Sequence, residues 1–349
     1  MSKKKIKIIG KYLFLAGLII GIVSVILYEK DHPFRTMAVD YQIKEEYVYP
    51  VGLPVGIYLR TNGVMVIDTV TVEGKDGTVK NPTNGRIHSG DYITAFNGEP
   101  VGNKSKLQYL IQKNQISPVV LSVVSNNIWK KVQITPVKTK NGEYQLGIWI
   151  RDDMQSIGTL SFITESRQFF SLGHGICDID TGALLSSNEG SLYLANVWGV
   201  KKGEPGKPGG LCGSIDYSNQ KMIGKIEVNS SNGIWGTIFG NQLKPYQIEK
   251  MKVGHSDFVR TGNAKIKFIW KGKPRYYDIE IVQLDTSLTE KNMVVHITDK
   301  KLLKQTNGIV QGMSGCPIIQ KNRVVGVLTH VMVNHPNFGY GIVIDKICQ

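Results

Sequence analysis

The chain has few cysteines and lacks the sequence patterns of the common cofactor and metal sites. Its four cysteines, Cys177, Cys212, Cys316 and Cys348, include no CxxC pair and no metal-ligand spacing. Neither a P-loop nor a dinucleotide-binding glycine fingerprint occurs. The sequence therefore predicts no cofactor and no bound metal. An even number of cysteines in an exported chain allows one or two disulfides, although small core side chains are the simpler role for Cys177 and Cys316.

Acidic residues are scarce relative to basic ones. The chain has 42 lysine and arginine residues against 28 aspartate and glutamate residues, which gives a formal net charge of +14. The basic residues are spread along the chain and form no arginine-rich block with interleaved aromatics, so nucleic-acid binding is not predicted. On an exported protein, a basic surface suits attraction to anionic lipid headgroups.

Charged side chains are absent from residues 12–28, which are mostly apolar. This run just reaches the minimum length for crossing a bilayer. Lysines precede it, so the positive-inside rule places residues 1–11 in the cytoplasm and the rest of the chain outside. A cleaved signal peptide is the alternative, but no Ala-x-Ala cleavage site follows. The sequence predicts an uncleaved single-pass transmembrane anchor at 12–28 and a juxtamembrane linker at 29–45.

Residues 46–137 show short strand patterns separated by glycine and asparagine turns, and one helix pattern at residues 104–114. This order resembles a PDZ domain. The residues that resemble its carboxylate-binding loop are Gly52, Leu53, Pro54, Val55, Gly56 and Ile57, and residues 89–93 resemble its Gly-Asp turn. Because PDZ domains bind an extended peptide at a sheet edge, the resemblance implies that residues 52–57 bind a peptide.

Residues 138–349 form the second predicted domain, and strand patterns dominate it. They occur at residues 146–151, 158–163, 191–197, 224–228, 264–270, 277–282, 294–297, 309–310, 324–331 and 341–344. Many short antiparallel-looking strands with few helical stretches predict a pair of β-barrels or a large sandwich.

The most informative segment is the glycine turn around Ser314, followed by an apolar strand pattern. Gly312 and Gly315 allow a tight backbone path that exposes the hydroxyl and directs neighbouring N–H groups at one point. A serine nucleophile needs a base, and His174 lies between two glycines in a similarly open segment. His330, in the strand pattern after the serine, is an alternative base. The sequence therefore predicts nucleophilic catalysis.

Three segments, residues 172–182, 297–300 and 308–319, closely resemble the SpoIVB peptidase family. The order of anchor, PDZ-like domain and C-terminal peptidase is also that of the family. The resemblance implies a mostly β chain with a trypsin-like double β-barrel. It also implies a signalling serine endopeptidase of endospore-forming bacteria, located between the two membranes around the forespore. Such an enzyme cuts itself and a membrane-bound regulator of an intramembrane protease, which leads to activation of a late mother-cell sigma factor.

Carried onto this chain, the resemblance implies Ser314 as nucleophile, His174 as base and Asp299 as acid, with the N–H groups of Gly312 and Ser314 as the oxyanion hole. Asp216 is an alternative acid, because its distance from His174 along the chain better fits trypsin-like enzymes. Residues 329–331 would then lie beside the substrate backbone. Asp178 and Asp180, after His174, are expected to be turn residues.

Two other functions remain open from the sequence. A non-catalytic PDZ-containing scaffold at the membrane surface would use the same domains only for binding, but it would not need a serine on a glycine turn. An acyltransferase or esterase would use the same residues on another ester or amide. The PDZ-like domain favours protein substrates.

Overall fold

The computed structural model describes residues 43, 46–114, 118–187, 189–246 and 248–347. The predicted anchor at 12–28 lies outside these residues, as does the predicted linker at 29–45 apart from residue 43. Within the described ranges, no helix has both the length and the apolar composition that a membrane crossing requires.

The described part of the chain is mostly β. Its strands are β1 Tyr47–Thr69, β2 Val72–Glu73, β3 Val79–Lys80, β4 Tyr92–Phe96, β5 Glu99–Pro100, β6 Val119–Ser125, β7 Ile128–Ile134, β8 Val137–Lys138, β9 Tyr144–Gln145, β10 Ile148–Ile163, β11 Gln168–Ser171, β12 Glu189–Lys201, β13 Gly210–Ile215, β14 Met222–Ser230, β15 Gly233–Ile238, β16 Met251–Val253, β17 Gly262–Trp270, β18 Lys273–Leu284, β19 Met293–Ile297, β20 Pro317–Gln320, β21 Arg323–Met332 and β22 His335–Val343. The helices are α1 Lys104–Lys113 and α2 Lys300–Thr306, with short 3-10 turns at Asn219–Lys221, Lys244–Tyr246 and Ile344–Lys346.

Two closed six-stranded antiparallel barrels make up the C-terminal part. In the first, β1 pairs with β10, β10 with β11, β11 with β15, β15 with β14, β14 with β12, and β12 with β1 again. In the second, β17 pairs with β18, β18 with β19, β19 with β22, β22 with β21, β21 with β20, and β20 with β17. Closure leaves no free sheet edge in either barrel. The predicted pair of barrels is confirmed.

The two barrels share an apolar core at their seam. Phe162, Phe170 and Trp235 of the first barrel belong to the same buried cluster as Val327 and Ile342 of the second. The rings of Phe162 and Phe170 stack with centroids 5.5 Å apart. Because this cluster is buried, the relative position of the barrels is set by side-chain packing.

A smaller sheet with α1 forms the PDZ-like part. Here β7 pairs with β6, β6 with β4, and β4 with the second half of β1. The predicted helix is confirmed: Asn103 caps its N-terminus, and Leu107, Leu110 and Ile111 are its buried residues. The core around these side chains extends from Val64 to residues of β10, whereas the predicted domain runs from 46 to 137.

The three described thiols lie outside any disulfide. Cys177, Cys212 and Cys316 are free, and Cys316 is fully buried in the core of the second barrel. Burial also raises the pKa of the Cys316 thiol, since an apolar environment disfavours the thiolate. Cys316 therefore acts as a small core side chain, as the sequence indicated. The same expectation is wrong for Cys177, which is exposed on the loop after His174. Cys348 lies outside the described residues.

The predicted peptide-binding loop requires correction. Residues 52–57 lie in the first half of β1 and are all buried. Val55, Gly56 and Ile57 pair with β10 on one side and with β12 on the other. A strand that is paired on both sides has no edge to which a peptide can add. The sequence pattern of a glycine-bounded apolar loop thus belongs here to a barrel strand.

Gly52 offers a test of this placement. Its φ of +72° is one that side chains rarely adopt, and a Cβ atom there would overlap the backbone carbonyl of Lys267. We expect Gly52→Ala to lower the free energy of unfolding by about 2–4 kcal/mol, from the backbone strain together with overpacking. Chemical denaturation measures this change.

Gly77→Ala is the matched control, because Gly77 has a φ of +78° but a Cβ atom added there would have nothing within 4 Å. It should cost about 1 kcal/mol, the strain alone. Equal effects of the two substitutions would mean that Gly52 does not contact β17 closely.

Candidate active site

Ser314 lies on a tight turn just before β20. Gly312 and Gly315 both have a φ of +98°, so the turn depends on glycine at both positions. A Cβ atom at Gly315 would also overlap the carbonyl of Thr159 in β10 and approach the backbone nitrogen of Leu172 to 2.7 Å. The turn of the second barrel is therefore pressed against the first barrel.

Hydrogen bonds hold this serine turn at several points. Thr159 donates its backbone N–H to the carbonyl of Ser314 at 3.1 Å and its hydroxyl to the carbonyl of Gly312 at 2.6 Å. Gly315 donates to the carbonyl of Leu328 at 2.7 Å. Among the described residues, the N–H groups of Gly312 and Ser314 have no backbone acceptor. Free donors at these two positions suit an oxyanion hole, and that role remains a prediction.

His174 follows β11 through Gly173, whose φ is +74°. A Cβ atom at Gly173 would come within 2.9 Å of the Thr329 methyl group in β21, so only glycine lets this segment approach β21 so closely. The Nδ1 atom of His174 lies 2.9 Å from the carbonyl oxygen of Gly175. An Nδ1–H that donates to this carbonyl leaves Nε2 as the ring nitrogen able to accept a proton.

The fold brings Ser314 and His174 to the same place on β21. The Ser314 hydroxyl donates to the carbonyl of Thr329 at 2.5 Å. The ring of His174 lies against that of His330, with centroids 4.6 Å apart and planes at 35°. No hydrogen bond joins Ser314 directly to His174 in the described part of the chain. Catalytic hydrogen bonds often tighten only when substrate binds.

Burial keeps both histidines neutral. It lowers the pKa of His174 below the ordinary 6.5, the hydrogen bond to Gly175 opposes this shift, and the positive charge of Lys291 adds to it. Burial lowers the pKa of His330 to about 4, with further contributions from His174 and Lys291. A neutral imidazole is the form that a general base requires.

Neither predicted acid contacts His174 in the structure. Asp299 caps the N-terminus of α2, where one carboxylate oxygen accepts the backbone N–H groups of Lys301 and Leu302 at 2.9 and 2.8 Å. Asp216 accepts the N–H of Ser218 at 2.9 Å. No ion pair or hydrogen bond between His174 and either carboxylate is present among the described side chains. The assignment of the acid remains a prediction from resemblance.

Sequence reasoning missed Asn229 and Thr159. The Asn229 side chain accepts the N–H of Ile176 and donates to its carbonyl, both at 2.9 Å, and it also donates to Leu185. Asn229 thereby holds the loop that follows His174. Neither residue carries a local motif, since each acts on a segment distant in sequence. An asparagine or threonine within a strand pattern is the signal that the sequence offers.

A second surface feature, which we call the α1–β10 groove, lies in the PDZ-like part. Residues 148–151 of β10 pair on one side with β1, no described strand pairs with their other edge, and α1 packs beside them. Ile148 and Ile150 are half-buried against the α1 core. Side chains of Gln112 and Asp152 tie the two ends of this segment to α1, through Tyr144 and Lys104.

This groove also had a signal in the sequence. Gly147 lies between the apolar residues Leu146 and Ile148 and has a φ of +65°. Residues 52–57 show the same sequence pattern, a glycine next to apolar residues. Two segments thus matched one pattern, and only the pairing in the structure distinguishes them.

Comparison with known proteins gives one family match. A family model described as SpoIVB peptidase S55 matches residues 142–348. No curated protein matches the chain.

Several solved structures are similar to parts of the chain. The PDZ domain of the SdrC-like protein from Listeria monocytogenes is 22% identical, with 26% of this chain and 87% of that chain covered and a TM-score of 0.21. The Rv3671c protease from M. tuberculosis in its active form is 12% identical, with 56% and 71% covered and a TM-score of 0.32. The HtrA-type protease AlgW with decapeptide is 12% identical, with 55% and 50% covered and a TM-score of 0.31.

The pH dependence of a reaction that uses His174 as base follows from its environment. Because its pKa is lowered, we expect the acidic limb of kcat/KM to lie below pH 6.5. Lys291→Gln removes a positive charge that disfavours the protonated ring, so the pKa of His174 should rise and the limb should move to higher pH. A pH profile of peptide hydrolysis measures the shift.

Lys321→Gln is the control, because Lys321 is likewise exposed and has a positive φ but does not influence either histidine. An unchanged limb in Lys291→Gln, or an equal shift in both variants, would contradict the expectation.

Proposed function

The chain belongs to the SpoIVB peptidase S55 family and is a serine peptidase, and on this basis we propose that it is a membrane-anchored endopeptidase of sporulation signalling. It cuts itself and a membrane-associated regulatory protein, as the resemblance implies. The observation that carries the proposal is the meeting of Ser314 and His174 at the seam of the two barrels, against consecutive residues of β21. Membership in a peptidase family argues against the alternative function, a non-catalytic scaffold.

The proposed reaction is acyl transfer. The Ser314 hydroxyl leaves the carbonyl of Thr329, turns to Nε2 of His174 and attacks a peptide carbonyl while the imidazole takes its proton. His174 then returns this proton to the leaving amine, and water hydrolyses the acyl-enzyme by the same route. The N–H groups of Gly312 and Ser314 bind the oxyanion, where one such donor typically contributes about 2.7–4 kcal/mol of transition-state stabilisation.

The substrate backbone is proposed to lie along residues 329–331 of β21. In this position the scissile carbonyl would lie between the serine turn and His174. Ser314 contacts Thr329, and His174 contacts His330. Asp299 stays in the proposal as the acid on the strength of the resemblance alone. Its two bonds to the α2 backbone support a second role, stabilising the helix N-terminus.

The proposed location follows from the N-terminal sequence. An anchor at 12–28 with residues 1–11 in the cytoplasm would hold the catalytic barrels outside the cytoplasm. The space between the forespore membranes is the location that the family resemblance implies. The net charge of +14 favours a position close to anionic lipid.

The PDZ-like part is proposed to bind an extended peptide in the α1–β10 groove. Residues 148–151 offer an unpaired strand edge, and the half-buried Ile148 and Ile150 provide apolar contacts for alternate side chains of the ligand. Main-chain pairing of this kind gives affinity, and the side-chain pockets give specificity. Substrate proteins and the chain itself are the proposed ligands.

Self-cleavage tests the catalytic pair. In an immunoblot of the full chain, we expect shorter products from wild type and none from Ser314→Ala or His174→Ala, because loss of either member of such a pair lowers kcat by about 10⁴-fold or more. We expect the cut to lie in the polar stretch at residues 29–46, between the predicted anchor and the PDZ-like domain. Asp299→Asn should reduce processing, and Asp216→Asn should not. Identical bands in wild type, Ser314→Ala and His174→Ala would exclude self-processing by this pair.

The groove has a test of its own. We expect Ile148→Arg to slow the cleavage of β-casein about tenfold, because a charge in the groove weakens docking by about 1.4 kcal/mol. Cleavage of a short fluorogenic peptide that fills only the active site should not change. Ile128→Arg is the control, since Ile128 is 69% exposed on β7 of the same sheet. If Ile148→Arg slowed cleavage of both substrates equally, the substitution would act on the active site and the predicted role of the groove would be contradicted.

A further inference from the structure

Arg151 connects the PDZ-like sheet to the loop that carries His174. It is the last of the groove residues 148–151 in β10 and lies opposite Met65 of β1. Its guanidinium forms an ion pair with Asp178 and donates a hydrogen bond to Asp180 at 2.7 Å. Both aspartates belong to the loop after His174. One side chain therefore joins the strand edge of the α1–β10 groove to a segment of the candidate active site.

Asp178 is the buried half of this contact. Its side chain has no exposed surface, whereas that of Asp180 is 47% exposed. One carboxylate oxygen of Asp178 accepts the backbone N–H groups of Asp180 and Thr181 at 3.0 and 2.9 Å, and the other pairs with Arg151. Burial alone would raise the pKa of Asp178, but the Thr181 N–H and Arg151 outweigh it and the pKa is lowered. The carboxylate is therefore ionised and depends on its partner.

The segment between Asp178 and His174 is short and held from two sides. On the side of the β14–β15 hairpin, Asn229 binds both backbone groups of Ile176, and the carbonyl of Ser231 accepts the N–H of Gly175 at 2.8 Å. On the other side, within the described ranges, Arg151 is the only cation paired with Asp178. The loop that follows His174 is thus held by Arg151 as well as by Asn229.

We propose that Arg151 is a positioning residue for the peptidase reaction, which holds the His174 loop in place through Asp178 and Asp180. This inference rests on the proposed function, since it gives a role in catalysis to a residue that lies outside the proposed catalytic groups Ser314, His174 and the oxyanion hole. The two-pronged guanidinium suits this role, because it engages two carboxylates at once. A lysine would keep the charge but not the fork.

Steady-state hydrolysis of a short fluorogenic peptide by the full chain tests the proposal. We expect Arg151→Gln to lower kcat by about 10- to 100-fold, because a misplaced base slows the chemical step. KM should change little, since the substitution does not alter β21, the strand along which the substrate is proposed to lie. The acidic limb of the pH profile should move to higher pH, because a loosened loop exposes the half-buried His174 further to water. Lys291 and His330, which influence or contact His174 in the described part of the chain, are unchanged in this variant.

Arg60→Gln is the matched control. Arg60 lies on the adjacent strand β1 and pairs with the exposed Glu189 at 3.8 Å, so its loss removes an arginine and an ion pair without touching the His174 loop. Wild-type kcat and pH profile are expected for this variant. If Arg151→Gln behaves like Arg60→Gln, the proposal is overturned.

Two milder variants cover the case in which Arg151→Gln does not fold. Asp180→Asn removes only the exposed prong, and Arg151→Lys keeps a charge beside Asp178. Both should show a smaller loss of kcat with the same direction of pH shift, and unchanged values in both would overturn the proposal. Failure of the proposed function would give a different result from failure of this proposal. Any hydrolysis by wild type would then persist in Ser314→Ala.

Discussion

Thr159 of β10 holds both halves of the candidate catalytic site with its own three polar groups. Its backbone N–H and its hydroxyl bind the serine turn, through the carbonyls of Ser314 and Gly312. Its carbonyl accepts the N–H of Leu172, two residues before His174, at 3.3 Å. The two segments that must meet for catalysis come from different barrels. A single fully buried residue therefore fixes their separation, and the glycines at 173 and 315 let them come this close.

The same strand extends the constraint to the PDZ-like part. β1 and β10 pair from Tyr49 and Ile163 at one end to Thr69 and Ile148 at the other, with a register shift between Arg60 and Met65. Such irregularities bend a strand pair, and here the shift lies where the two strands leave the barrel and enter the smaller sheet. The groove edge, which ends at Arg151, is thus followed by Thr159 along the same strand. The groove edge is therefore connected to the serine turn through the backbone of β10 and the hydrogen bonds of Thr159.

Much of the fold could be predicted from local patterns. The α1 helix, the strand-rich second domain and the glycine turn at Ser314 each follow from residues close together in sequence. The peptide-binding loop could not be located in this way, because residues 52–57 and 146–148 share one pattern. Pairing of β1 with β12 leaves residues 55–57 without a free strand edge, and that pairing joins residues far apart along the chain. Asp178 is the turn residue that the sequence predicts, but its ion pair with Arg151 escaped prediction for the same reason.

The contacts of Asp299 show where resemblance and geometry give different information. A helix whose first turn lacks an acidic residue gains most from an N-cap carboxylate, and α2 has no acid in its first turn except this cap. Capping alone is therefore a sufficient physical reason for aspartate at this position. His174 meanwhile has its Nδ1 held by a backbone carbonyl, which can fix the tautomer as a carboxylate would, although it supplies no full negative charge to stabilise an imidazolium. In such enzymes the acid also stabilises the imidazolium by its negative charge. Among the described residues, no contact of His174 supplies that charge, and the neutral, half-buried His330 ring beside it does not either.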